Sequence, residues 1–454
     1  MSTAPPTVAL IGTCDTKLDE LLYVHDKLVN EYGVQCKLID VGRTPSQHPS
    51  IAITQLDIFV SSGIDPPSDL QSLPRGKLIS TIIKHTIPLV KSLRESGAIH
   101  AALSMGGSGG TSLGSEVMRA ALPLGFPKLI VSTMAAGDAH PFVGESDLAM
   151  MHSVVDIAGL NDILCPILDN AAGAIAGMAR AQRARLLEGP PPSPTSGISP
   201  ASPGNKRIAI TMFGVTTPAV THARKLLAAY PCTTYVFHAS GAGGRAMEKL
   251  AVAGFWSGIL DLTTTELADA LLGGVLSAGD ARLTAAAHAR IPQVVSLGAL
   301  DMCNFGPRDT VPGQYRGRNL FEHNPSTTLM RTTAEECRVL GRQIAERLRY
   351  ADQDNTAVWI PKKGVSALSV KDAPFWDPDA DAALFAAVKE GLNSTQIRVI
   401  EEEREVNDPL FVEGMTVVLV TKSCGKRLAP SAHEVWRELV LESIFITRRT
   451  SAQS

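Results

Sequence analysis

The segment TVALIGTCDTKLDELLYVHDKLVNEYGVQCKLID, Thr7 to Asp40, decides the fold. It opens on a short apolar run, TVALIG, that ends in turn residues. Leu18, Leu21, Leu22, Leu28, Val29 and Tyr32 then recur at helical spacing, and Gly33 suits the position just past a helix end. VQCKLIDVG reads as the next strand. A strand, a helix and a second strand in so few residues make a parallel crossover unit, and a parallel sheet needs helices on both faces.

The same grammar continues outward. AIHAALSM and PKLIVST read as strands, with TSLGSEVMRAALP as the helix between them. After residue 206 it restarts: KRIAITMFG and TTYVFHAS read as strands, TPAVTHARKLLAAYP and GGRAMEKLAVAG as helices. The two halves open with the same order of elements, as a distant duplication would. VEGMTVVLVTKS reads as a further strand followed by a helix. Between the halves, EGPPPSPTSGISPASPGNK has almost no apolar content and cannot join a core. The expected division is therefore a nucleotide-binding domain over 1–187, a linker over 188–206, a second α/β domain over 207–410 and a C-terminal extension over 411–454. The fold class is α/β, two doubly wound domains with mainly parallel sheets.

Bulk properties narrow the function. The chain has 454 residues, enough for roughly two to four domains, with 44% hydrophobic and 19% charged residues. A net charge of -3 gives no field to attract nucleic acid or an anionic membrane. Seven cysteines without a C-x-x-C pair fit neither a disulfide framework nor a zinc site. The N-terminus has no secretory pattern, and no apolar run reaches the roughly 18 residues of a spanning helix. The expected setting is cytoplasmic.

Ligands of open α/β sheets bind beyond the carboxyl ends of the strands. GTCDTK, following the first strand, offers Gly12, Thr13, Asp15, Thr16 and Lys17 at the start of a helix, where amide groups favour an anion; a plain helix cap by Thr13 or Asp15 is the structural alternative. SMGGSGGTSLG places Gly106, Gly107, Gly109 and Gly110 around Ser108, with Thr111 next, between a strand and a helix. That is the physics of a phosphate cradle, although it is neither a Walker A loop nor a clean G-x-G-x-x-G. The alternative is a tight turn. STMAAGDAHPFVGESD carries Asp138, His140, Glu145 and Asp147; Asp138 is the candidate to hold Mg²⁺ on a phosphate, against a merely solvated acidic loop.

The second half offers a second anion site. HASGAGGR supplies Gly243, Gly244 and Arg245, GALDMCNFG supplies Asp301 and Asn304, and HNPSTTLMR supplies His323, Asn324 and Arg331. His323 is the candidate to move a proton, Asp301 to orient it and Arg331 to bind a carboxylate or phosphate. The structural alternative is an internal Arg331–Asp301 pair with His323 capping a loop. Thr332 with Glu335 is the expected capping box of the helix that follows.

Taken together, GTCDTKLDE, GGSGGT, STMAAGD, VGESD, VVDIAGLN, NAAGAIAGM, MFGVTTP, GALDMCNFG, HNPSTTLMRTT and NDPLF run in order from Val8 to Phe411. In this the chain resembles the family that contains the ATP-binding N-terminal domain of the tomato mosaic virus resistance protein and bacterial and fungal relatives. The resemblance implies two Rossmann-like domains, ATP bound by the first, and a homodimer. The antiviral role of the plant protein is not carried over, and the further barrel domain of plant members is absent here. Members usually carry a histidine before the NDP turn, where this sequence has Glu405 and Val406.

Three functional readings follow: a protein whose ATP is structural or regulatory; an enzyme acting on a small anionic metabolite, such as a sugar acid or its phosphate, between the domains; and a dinucleotide oxidoreductase. The last ranks lowest, because Asp40 ends the second strand but the glycine loop is elsewhere. Limited proteolysis tests the division directly. First cleavage is expected between Gly189 and Asn205, leaving two compact fragments; first cleavage elsewhere, with this segment protected, contradicts it.

Overall fold

The computed structural model describes residues 4–65, 67, 70–188 and 205–424. The chain divides into two compact units, Met1–Pro192 and Ser193–Ser454. The division falls inside 188–206, of which 189–204 lie outside the described residues.

In the first unit the order is β1 (Thr7–Gly12), α1 (Cys14–Asp26), β2 (Gln35–Asp40), β3 (Ile51–Ile53), α2 (Gln55–Val60), α3 (Arg75–Glu95), β4 (Ala101–Gly106), α4 (Ser108–Ala121), β5 (Lys128–Ser132), α5 (His140–Val143), β6 (Ala149–His152) and α6 (Leu164–Glu188). The strands lie β3-β2-β1-β4-β5-β6, all parallel. Strands β1, β4 and β5 are buried along their whole length, as sheet interiors covered on both faces must be. Val8 and Leu10 face α1 and α6 through Leu21, Val24, Leu168 and Ile175. Ala9 and Ile11 face α2, α3 and α4 through Ile58, Ile82 and Val117. Gly33 ends the first helical segment with φ +57°.

The second unit runs β7 (Lys206–Met212), α7 (Thr217–Leu227), β8 (Cys232–His238), α8 (Ala242–Val252), β9 (Gly258–Thr263), α9 (Glu266–Leu272), α10 (Ala285–His288), β10 (Gln293–Gly298), β11 (Met302–Phe305), β12 (Leu320–Asn324), β13 (Thr327–Arg331), α11 (Ala334–Leu348), β14 (Thr356–Pro361), α12 (Pro378–Leu392), β15 (Arg398–Glu402) and α13 (Pro409–Cys424). Its main sheet is parallel, in the order β15-β14-β10-β9-β7-β8. Apart from the edge strands β3 and β15, both sheets share one order. The direction of winding reverses between β1 and β4 in the first and between β7 and β9 in the second.

Three features depart from the sequence reading. HNPSTTLMR does not sit at the edge of the main sheet. Asn324, Pro325 and Ser326 turn a hairpin between β12 and β13, which pairs with β11 in a separate antiparallel sheet. VEGMTVVLVTKS lies wholly in a helix, α13, despite its β-branched residues. Phe411, Val412, Met415 and Leu419 pack with Ile208, Ile210 and Leu260 of the sheet, so burial overrides local propensity. That helix crosses the expected 410/411 boundary and belongs to the core of the second unit. The capping box falls one residue later than expected: Thr333 accepts from the Glu336 amide, and Glu336 returns to the Thr333 amide. The Thr332 hydroxyl is already donating to the Leu300 carbonyl.

The deepest charge is Arg282, fully buried among three carboxylates. It donates to both oxygens of Asp261 at 2.6 and 2.7 Å, to Glu266 at 2.6 Å and to Glu248 at 3.2 Å. Asp261 also accepts from the Thr211 hydroxyl, and Glu248 from the Leu283 and Ala285 amides. One guanidinium thus ties β9, α8 and α9 together. Arg282→Met is expected to lower the unfolding free energy of the second unit by about 3–5 kcal/mol in denaturant melts, because it strands buried carboxylates. A loss below about 1 kcal/mol contradicts this role, since it lies below what a broken buried pair costs.

Candidate functional site

The crevice where a doubly wound sheet reverses its winding lies in the first unit between the carboxyl ends of β1 and β4. A cleft of about 950 Å³ opens there. Its lining joins the loop after β1 (Thr13, Asp15, Thr16, Lys17) to the glycine turn after β4 (Gly107, Ser108, Gly109, Gly110). Two segments far apart in sequence and both expected to bind phosphate are therefore neighbours in space.

The glycine turn works by access rather than by unusual torsion. None of Gly106, Gly107, Gly109 or Gly110 has positive φ. A Cβ on Gly106 would lie 3.0 Å from the Gly110 Cα, and one on Gly110 3.3 Å from the Met105 carbonyl, so these two keep the turn tight. Gly107 is open, with Thr133 Oγ1 the nearest atom at 3.7 Å. Gly109 lies directly beneath the Arg75 guanidinium, 2.7 Å from where its Cβ would stand. Helix α4 starts on this turn with no side-chain cap. The Thr111 amide bonds back to Gly107, but among the described residues no group accepts from the amides of Ser108, Gly109 and Gly110. Such amides carry the positive end of the helix dipole.

The loop after β1 is different. The Cys14 amide at the start of α1 donates to Asp40, and the same carboxylate accepts from Gly42 and Ser46. Asp40 is fully buried and its oxygens are engaged, so it is not free to hold a ribose. Asp15 accepts from the Arg43 and Thr44 amides and so pins the loop after β2. The Thr13 and Thr16 hydroxyls bond each other at 2.9 Å. Lys17 donates to the Ile157 carbonyl, leaving other ammonium hydrogens for a ligand.

Several expected residues stand outside the cleft. Gly12 makes room for Leu21, 2.4 Å from where its Cβ would lie. Thr111 is buried, bonded to Ser132 Oγ at 2.6 Å. Asp138 accepts from the His140 amide and is not among the residues that line the cleft. Asp147 pairs with the buried Lys128 at 2.6 Å, so part of that acidic loop is structural. Conversely, Arg43, Arg75, His152, Val154 and Asp156 line the cleft and were not singled out. Sequence held one indirect signal for Val154 and Asp156: both lie in the stretch VVDIAGLN that carries the family resemblance. Val154 is notable because a β-branched residue at φ +64° is strained, and strain of this kind collects at ligand sites.

The second anion site does not assemble. The turn HASGAGGR is filled from within: Glu266 accepts from the Gly241 and Gly244 amides at 2.7 and 3.1 Å. A Cβ on Gly243 would meet the His238 carbonyl at 1.9 Å, so that glycine serves packing. Arg245 donates to the Ser277 carbonyl. Asp301 is fully buried, accepts from Ser366 at 2.7 Å, and is pushed up to about 6 by burial against the pull of Arg331. Arg331 pairs with Asp381 at 2.6 Å and donates to the Phe375 and Asp377 carbonyls. Asn304 is buried and donates to Asp269. His323 and Asn324 are exposed near the hairpin tip. The pairing Phe321↔Leu329, Glu322↔Thr328 puts His323 three to four residues from Arg331 along the ladder, about 12 Å at the usual strand rise. His323, Asp301 and Arg331 therefore form no proton-transfer set.

Among the described residues there is no group of three His, Cys, Asp or Glu side chains placed to hold a metal ion, and no helix long and apolar enough to cross a membrane.

Relatives cover almost the whole chain. A Clostridium tetani UPF0261 protein is 41% identical over 91% of this chain and 98% of its own. One from Mesorhizobium japonicum is 42% identical over the same shares. The tomato protein Tm-1(GCR237), a ToMV resistance protein, is 36% identical over 90% of this chain and 55% of its own length. A solved UDP-N-acetylglucosamine 2-epimerase from Rickettsia bellii aligns at 13% identity with a TM-score of 0.20, over 59% of this chain and 76% of that one, too weak a likeness to bear on activity. Residues 6–184 match the N-terminal domain and residues 205–422 the C-terminal domain of the Uncharacterised protein family (UPF0261), and the chain belongs to that family.

Proposed function

We propose that the first unit is an ATP-binding module, with the phosphates seated on the amino-terminal turn of α4. The observation that carries this reading is the uncapped turn itself: three backbone amides with no described acceptor, on a glycine segment open to a cleft of about 950 Å³. That volume lies within the range of nucleotide-sized sites. Lys17, Arg43 and Arg75 give the lining an excess of positive charge over Asp15 and Asp156, and Asp15 is already occupied by backbone amides. Val41, Leu78, Ile79, Ile82 and Leu113 supply the apolar surface a base requires.

In this reading the Ser108, Gly109 and Gly110 amides bind phosphate oxygens, and Lys17 neutralises them from the opposite loop. Magnesium, where present, arrives with the triphosphate rather than residing in a protein cage. The dinucleotide reading loses its support, because Asp40 is consumed by Cys14, Gly42 and Ser46. The metabolite-enzyme reading loses its proposed catalytic set.

Two outcomes test the module. Titration calorimetry of the full chain is expected to show one saturable site for ATP; no heat with ATP, ADP or AMP at millimolar ligand sinks the proposal. Gly107→Val and Gly109→Val are each expected to weaken ATP binding at least about tenfold, the equivalent of one lost charge-assisted contact, while the far-UV spectrum stays native. At Gly107 an added Cβ meets nothing nearer than Thr133 Oγ1 at 3.7 Å, so the fold is expected to tolerate the change. Unchanged affinity in both variants reduces the segment to a turn.

A further inference from the structure

The cleft has a wall with two chemistries on one helix. Arg75 opens α3, and Leu78, Ile79 and Ile82 follow on the side that lines the same cleft. Arg75 and Ile82 are seven residues apart, about 10 Å at the α-helical rise. A ligand that satisfies this wall is anionic at one end and apolar at the other, with the two ends well separated.

Arg75 is placed against its own electrostatics. It occupies the first position of a helix of 21 residues, where the dipole disfavours a cation. Its guanidinium also lies over Gly109, in the first turn of α4, at a second positive helix end. Arg75 is exposed at the cleft rim, and among the described residues its guanidinium has no carboxylate partner and no hydrogen bond, whereas Arg282 and Arg331 are buried and engaged. Arg43, the other arginine of the lining, is held by the carbonyls of Gln71 and Leu73. The cleft thus contains one guanidinium with its whole donor fork unspent, positioned beside the amides that would hold phosphate.

Resting on the nucleotide reading of this cleft, we propose that Arg75 binds the outer phosphates of the ligand and makes the site specific for nucleoside di- and triphosphates over monophosphates. With the base against Ile79 and Ile82, a 5′-monophosphate carries its charge nearer the base and farther from the guanidinium than the outer phosphates of a di- or triphosphate do. Each additional phosphoryl group carries charge further from the base and toward Arg75. The bidentate fork of an arginine suits two oxygens of one phosphate, which a lysine ammonium cannot match in geometry.

Titration of the full-length wild type, Arg75→Met and Arg75→Lys with ATP, ADP and AMP tests this. The wild type is expected to bind ATP and ADP at least about tenfold more tightly than AMP, a difference of one charge-assisted contact. Arg75→Met is expected to abolish that preference, with AMP affinity changed less than about twofold; Arg75→Lys recovers part of it. The melting temperature of ligand-free Arg75→Met is expected to be unchanged or higher, because a cation leaves two helix amino termini. Equal loss for all three nucleotides, or none, overturns the assignment while leaving the nucleotide site standing. Failure of the wild type to bind any of the three overturns both.

Discussion

The unpaired backbone amides at the start of α4 are the constraint around which the first unit is arranged. A helix leaves its first N–H groups without partners, and buried or half-buried ends must find acceptors. This protein meets that demand from within at several comparable turns. Asp40 receives the Cys14 amide at α1, Asn407 receives the Ala219 amide at α7, and Glu266 receives the Gly241 and Gly244 amides at α8. At α4 no described side chain does so, and the turn faces an open cleft. The contrast is between an anion the chain supplies and one it leaves to be supplied.

Glu266 shows how completely the internal solution can close a site. Its carboxylate occupies the place a phosphate would take in the turn before α8, and its other oxygen is held by Arg282. A Cβ on Gly244 would meet that carboxylate at 2.2 Å, so the glycine admits the acid rather than a ligand. Asp301 and Arg331 follow the same logic. Residues chosen as chemistry in the second unit are spent on joining β13, α12 and the loop after β14. The NDP turn is likewise structural: Asn407 spans from the Val215 carbonyl to the start of α7, and Asp408 receives the Leu410 amide at the start of α13.

How far the sequence revealed this depended on the range of the interaction. The central strands were legible as continuous apolar runs, and Gly33 as a helix stop, because both are local. Thr13, Lys17 and the Gly107–Gly110 segment were legible as loops at strand ends, and parallel order then forced them together at the reversal between β1 and β4. The glycines stand out in the sequence as a cluster, and the structure requires them for access and close packing. What was not legible was which glycine turn stays open, because Glu266 is 22 residues from Gly244. Arg75 was missed for the same reason: nothing within its own segment links it to Gly109. The apolar β-branched run in α13 misled because burial on the sheet outweighs propensity, and the hairpin at Asn324–Ser326 carried a turn signal that was read as a loop into a helix.

The central claim concerns particular amides, so it is tested most directly at those atoms. In the full chain labelled with ¹⁵N-glycine, with the resonances assigned by substitution, ATP is added to saturation. The account predicts that the Gly109 and Gly110 amide signals move strongly downfield as they donate to phosphate oxygens, while Gly241 and Gly244, already bound to Glu266, stay in place. Unmoved Gly109 and Gly110 signals at saturating ATP, or shifts confined to Gly241 and Gly244, contradict it.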